Sequence, residues 1–128
     1  MAKINLADGL LYTSVKIYYQ GRAKIIDKMV IDTGASYSIV STDAAEEIGI
    51  SIEDSDEIII SVGIGGKQFS VIKQVDGVEF NGFKIKDCKV DIGEIDFGGT
   101  INGLLGLDLL MEAGVILDLK NLRMFEAV

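Results

Sequence analysis

The chain contains no histidine, no proline and no tryptophan, and its one cysteine is Cys88. Without histidine there can be no Ser-His-Asp triad or Cys-His nucleophile pair. Zinc sites built on imidazole are excluded as well. A single cysteine rules out an internal disulfide and a thiolate metal cage. If the chain has chemistry, carboxylates, hydroxyls or lysines must carry it. Positive charge is also scarce, with 12 Lys and Arg against 20 Asp and Glu, a net charge of −8 and a pI near 4.4. That balance argues against a nucleic-acid partner, which needs clustered basic side chains, and against docking on anionic membranes. No apolar run reaches membrane-spanning length. Met1–Asp8 shows neither a long apolar stretch nor a cleavage pattern, so no secretory leader is expected there. The expected setting is cytoplasmic and reducing.

What is present is a globular composition. With 128 residues and 48% apolar side chains the chain can bury a core, and one domain over residues 1–128 is expected. Leu10–Tyr19 and Arg22–Ile31 are rich in Val, Ile, Tyr and Thr and read as two strands around a Gln20-Gly21 turn. Ser38–Val40 reads as a short strand. Either Ser41 or Thr42 can cap a helix that runs to Ile48 and stops at Gly49. Glu57–Val62 and Gln68–Val75 form a hairpin with a glycine-rich tip. Gly77–Phe80 and Phe83–Ile92 form another around Asn81-Gly82. After a Gly98-Gly99 loop come a buried strand over Thr100–Leu105, a short helix over Leu107–Ala113 with Asp108 near its positive end, and a hairpin over Val115–Phe125. Many short strands and few helices indicate an all-β architecture, a barrel or a sandwich.

The candidate chemistry lies where the apolar run Met29-Val30-Ile31 delivers Asp32 into the small-residue turn Thr33-Gly34-Ala35-Ser36. Gly34 allows close approach of another backbone or a ligand, and the Thr33 hydroxyl is placed to bond to a neighbouring loop. Taken alone, Asp-Thr-Gly is a weak signal and reads more often as an ordinary Asx turn. Other motifs have plainer readings. A phosphate loop should open a helix, whereas strand-like sequence flanks Gly63–Gly66 on both sides. Asp54, Asp56 and Glu57 read as solvated surface acids. Cys88 reads as a small core residue, and Tyr12, Tyr18 and Tyr19 as packing.

Three elements in order give the chain a resemblance to the retropepsin-like aspartic peptidases, the family of retroviral proteases and their cellular relatives. They are Asp32-Thr33-Gly34-Ala35-Ser36 after an apolar run, Gly63-Ile64-Gly65-Gly66 at a hairpin tip, and Leu104-Leu105-Gly106 followed by Leu107-Asp108-Leu109-Leu110. The resemblance spans roughly Val15 to Phe125. It implies a closed or partly open β-barrel of the acid-protease half-lobe type with one or two short helices. It also implies an aspartic endopeptidase in which Asp32, Thr33 and Gly34 form the catalytic loop, while Ala35, Gly63, Ile64, Gly65 and Gly66 contact a peptide substrate. Leu104-Leu105-Gly106 would pack behind that loop. Asp96-Phe97-Gly98 carries a bulky Phe where the hydroxyl is needed, so a second Asp32 must come from a second copy of the chain on a two-fold axis. Two carboxylates about 3 Å apart repel by roughly 5 kcal/mol at an effective dielectric near 20. They therefore share one proton, and the dyad of aspartic proteases is the standard case. No metal or other cofactor is implied. A different class of function stays open at this point: a non-catalytic module of the same fold that binds extended peptides or only dimerises.

Overall fold

A computed structural model describes residues 4–63, 66–95 and 99–127 of the chain. The elements run β1 (Asn5–Ala7), β2 (Leu10–Tyr19), β3 (Arg22–Ile31), β4 (Ile39–Ser41), α1 (Thr42–Ile48), β5 (Ile58–Gly63), β6 (Gly66–Phe80), β7 (Phe83–Gly93), β8 (Gly103–Leu105), α2 (Leu107–Ala113), β9 (Val115–Asp118) and β10 (Arg123–Glu126). Eight strands form one sheet in the order β1-β2-β3-β8-β4-β7-β6-β5, and β2 also pairs with β6 so that the sheet curls back on itself. Strands β9 and β10 form a separate two-stranded sheet. The fold is all-β with two short helices, as the sequence led us to expect.

Period-two patterning explains the long strands. On β2, Thr13, Val15 and Ile17 are buried while Ser14, Lys16 and Tyr18 alternate with them. On β3 the alternation gives way at its end to Met29, Val30 and Ile31, all buried. A strand covered on both faces needs such a continuous apolar run, and here α1 packs against β3, β4 and β7. Ile17, Ile92, Leu105 and Ala45 are completely buried in a core that also holds Phe80, Val15, Val75 and Val78. Each large apolar side chain buried there contributes about 2 kcal/mol by transfer alone.

The helix caps follow local chemistry. Ser41, rather than Thr42, caps α1, its hydroxyl accepting from the Ala44 amide. Gly49 and Gly114 end the two helices in the left-handed conformation.

One strand is added to the expected set and two expectations are corrected. β1 pairs with β2 (Asn5↔Tyr12), although its three exposed residues carry no pattern long enough to read. β6 is one strand of 15 residues, not two, because β7 supports it continuously from Ser70↔Gly93 to Phe80↔Phe83. The buried strand before α2 is shorter than expected, covering only Gly103–Leu105, since β3 and β4 leave room for three residues between them.

Candidate active site

The site is built where two short segments cross. β8 lies between β3 and β4, parallel to β3 (Ile31↔Leu105) and antiparallel to β4 (Ile39↔Leu104). The chain leaving β3 arches over the end of β8 through residues 32–38 to reach β4, while β8 continues beneath that arch through Gly106 into α2. Six hydrogen bonds lace the crossing. The Asp32 amide donates to the Leu105 carbonyl at 2.9 Å. The Leu107 and Asp108 amides donate to the carbonyls of Ala35 and Ser36 at 2.8 and 3.2 Å. The Ser38 amide and hydroxyl both donate to Asp108 Oδ1, at 2.9 and 2.7 Å, and the Ser38 hydroxyl accepts from the Gly106 amide at 2.8 Å. Ser38 is fully enclosed, so these bonds are made away from competing water.

Gly106 is required by this crossing. A Cβ there would stand 2.8 Å from the Ala35 carbonyl oxygen and from the Tyr37 backbone, which cannot move without dismantling the arch. Leu105, at 0% exposure, seals the arch from below.

At the top of the arch, Asp32 is half-buried, Thr33 and Gly34 are exposed and Ala35 is half-buried. Asp32 Oδ1 accepts from the Gly34 amide at 2.9 Å. Among the described residues nothing within the chain donates to Oδ2, and no hydrogen bond uses the Thr33 hydroxyl. The loop thus holds the carboxylate through one oxygen and leaves the other oxygen and a neighbouring hydroxyl without a partner among the described residues.

The structure brings Asp32, Thr33, Gly34 and Ala35 together on one rigid turn. Gly63 and Gly66 are paired at the far end of the β5–β6 hairpin, and Ile64 and Gly65 lie outside the described residues, as do Asp96, Phe97 and Gly98. Among the described residues the hairpin is linked to the arch by strand pairing through β7 and β4 (Ser70↔Gly93, Ser41↔Gly93) and through β2 and β3.

Sequence reasoning missed the groups beneath the arch. Asp108 was read as a charge at a helix N-terminus. It does accept from the Leu109 amide at 2.8 Å, but it also clamps Ser38. Asp91 on β7, whose amide donates to the Ser38 carbonyl at 3.0 Å, is 9% exposed. Burial, and then the nearby charge of Asp108, push its carboxyl up to about 6. Burial and Asp108 likewise push the Cys88 thiol up to about 11, so it remains protonated. An acidic residue in the middle of a Val-Asp-Ile run was the one available signal for Asp91. Asp56 is no free surface acid. It accepts from the Glu53 amide at 2.6 Å and pairs with Lys73 at 2.8 Å, with both side chains nearly covered. Those two donors lower its carboxyl below the ordinary range, the Glu53 amide first.

Residues 15–109 match the aspartyl protease family, and the chain belongs to that family. It also superposes on the crystal structure of a retropepsin-like aspartic protease from Rickettsia conorii with a TM-score of 0.68 and 20% sequence identity, over 97% of this chain and 87% of that one. That likeness establishes the retropepsin-like fold. Among curated protein sequences none matches. Among the described residues no helix is long and apolar enough to cross a membrane.

Proposed function

We propose that the chain is an aspartic endopeptidase that works as a homodimer, each copy supplying one Asp32 to a shared site. The observation that carries this reading is the Asp32 arch. A family whose chemistry needs two carboxylates is represented here by a chain with one Asp-Thr-Gly, held on a laced turn with Asp32 Oδ2 and the Thr33 hydroxyl free of bonds to the described residues. A two-fold axis through the top of the arch makes the two turns face each other and offers Thr33 of each copy the backbone of the other. Tyr37, at 62% exposure on the same turn, is an apolar side chain that such a contact would cover.

In the dimer the two Asp32 carboxylates hold one proton between them, the arrangement for which aspartic proteases are the reference case. The ionised member takes a proton from a water molecule as that water attacks the scissile carbonyl carbon. The protonated member gives its proton to the carbonyl oxygen. Collapse of the tetrahedral intermediate returns a proton to the departing amine. Thr33 and Gly34 hold the turn, Ala35 contacts an extended peptide beside it, and the hairpin tip Gly63, Ile64, Gly65 and Gly66 acts as a flap against that peptide. Residues 1–128 act as one domain, in the cytoplasm.

The test is digestion of a peptide library by the wild type and by Asp32→Ala. Cleavage by the wild type, its complete loss in the variant and an unchanged dimer on sizing are expected. Retained cleavage by the purified variant would sink the proposal, and so would failure of the wild type to cut any library peptide between pH 4 and pH 8.

A further inference from the structure

Strand β5 is the last strand of the sheet and pairs only with β6. Among the described residues no backbone hydrogen bond leaves its other edge. Its sequence does nothing to blunt that edge: Ile58-Ile59-Ile60 carries no charge and no proline. The register sorts the side chains of the hairpin. Ile58 faces across to Val71 and Ile60 to Phe69 on one face, while Ile59 pairs with Ser70 and Ser61 with Gln68 on the other. On the second face Ser70 is buried, Ile59 and Gln68 are half-buried and Ser61 is exposed. The first face buries Val71 at its root but leaves Ile58, Ile60 and Phe69 at 67%, 56% and 59% exposure. At its root it opens into a groove of about 320 Å³ lined by Ile52, Ile58, Phe69, Val71, Ile92 and Glu94. Gly93 shapes the groove floor, because a Cβ there would meet the Phe69 carbonyl at 2.7 Å.

Exposed charge beside the root of the groove is acidic. Glu53, Asp54, Glu57 and Glu94 are exposed, and among the described residues none has a basic partner within ion-pair distance. The Lys73 ammonium is already taken by Asp56, and Lys67 lies toward the hairpin tip.

From the free edge, the exposed isoleucines, the groove and its acidic rim together we infer that β5 is a docking site for an extended polypeptide segment with alternating apolar side chains flanked by Lys or Arg. The segment adds to β5 as a further strand, its backbone pairing with the free edge and its apolar side chains covering Ile58, Ile60 and the groove. Its basic ends meet the acidic rim. A second copy offering its own β5 is the wrong occupant: from Glu53 to Gly66 the chain carries no Lys or Arg to meet the acidic rim. The site lies on the opposite face of the hairpin from Ile59 and Gln68 and does not depend on catalysis at Asp32.

The experiment uses the full chain carrying Asp32→Asn, so that cleavage of the probe plays no part. Two fluorescein-labelled probes are titrated by anisotropy, Lys-Ile-Thr-Val-Thr-Ile-Lys and the same peptide with Glu at both ends. The lysine peptide is expected to bind, to weaken with added salt, and to shift the amide resonances of Ile52 and Ile58–Ser61. The glutamate peptide is expected not to bind. Glu57→Gln with Glu94→Gln should weaken binding about tenfold, and Ile58→Ser with Ile60→Ser, both at exposed positions, should abolish it. The inference is overturned by equal affinity for the two peptides, by no binding, by shifts confined to residues 32–37, by undiminished binding in the Ile58/Ile60 variant, or by self-association of the chain through β5.

Discussion

Ser38 joins the turn that carries Asp32 to the turn that opens α2. Its hydroxyl donates to Asp108 and accepts from Gly106 in a fully enclosed position. Ser38→Ala leaves the Gly106 amide without its acceptor, and an unsatisfied buried donor costs about 2–3 kcal/mol. Chemical denaturation should show that loss without a change in the denaturant slope, and a neutral effect would mean that the arch is not held from below. Asp91 gives a prediction of opposite sign. Its carboxyl titrates at about 6 in the folded chain against an ordinary value of 3.8. Between those values the native state keeps a proton that the unfolded state has lost, so this group makes stability fall as pH rises through that window and level off above it. Asp91→Asn removes the buried charge. It should stabilise the protein by about 2 kcal/mol at pH 7.5 and by almost nothing at pH 4. Equal effects at the two pH values would show that the charge is not the cause. Neither residue was legible as a support. Ser38 read as part of a short strand and Asp91 as a strand residue, because their partners Asp108 and Gly106 lie about seventy and Asp108 seventeen positions further along the chain. Asp32, by contrast, announced itself through the local contrast between three apolar residues and a run of small polar ones.

Strands and hairpins whose signal is local were legible, and those set by distant partners were not. β2, β3, β7 and both helices carry their own periodicity and caps, so their bounds fall within a residue or two of the reading. β8 is different. Nothing in Thr100–Leu105 says that only its last three residues fit between β3 and β4, since that limit comes from neighbours seventy positions earlier. The same crossing explains Gly106. Gly106→Ala places a methyl group 2.8 Å from backbone atoms of Ala35 and Tyr37, so the arch must move. A displacement of about 1 Å at a reacting group is enough to lower turnover roughly a hundredfold. Peptide cleavage by Gly106→Ala should fall at least that far while circular dichroism still reports the β fold. Near-normal cleavage would mean that the arch tolerates the shift and that Asp32 is not positioned by the crossing.

At the scale of the whole molecule, the ring closed by β2 and β6 holds the core, and the Asp32 arch is partly exposed, with one carboxylate oxygen unpartnered among the described residues. The fold and the family were legible because three short motifs stand in a fixed order along one chain. The proposed pairing of two chains rests on counting alone: one Asp-Thr-Gly where the chemistry of the family needs two carboxylates. That pairing is tested most directly by mixing wild-type chain with Asp32→Asn chain at constant total concentration, allowing exchange, and measuring peptide cleavage against the wild-type fraction. If both carboxylates are needed and come from two copies, activity follows the square of that fraction, and an equal mixture retains about a quarter of the full rate. Activity proportional to the fraction, with about half the rate in the equal mixture, would show that a single chain cleaves peptides alone and would contradict the shared site.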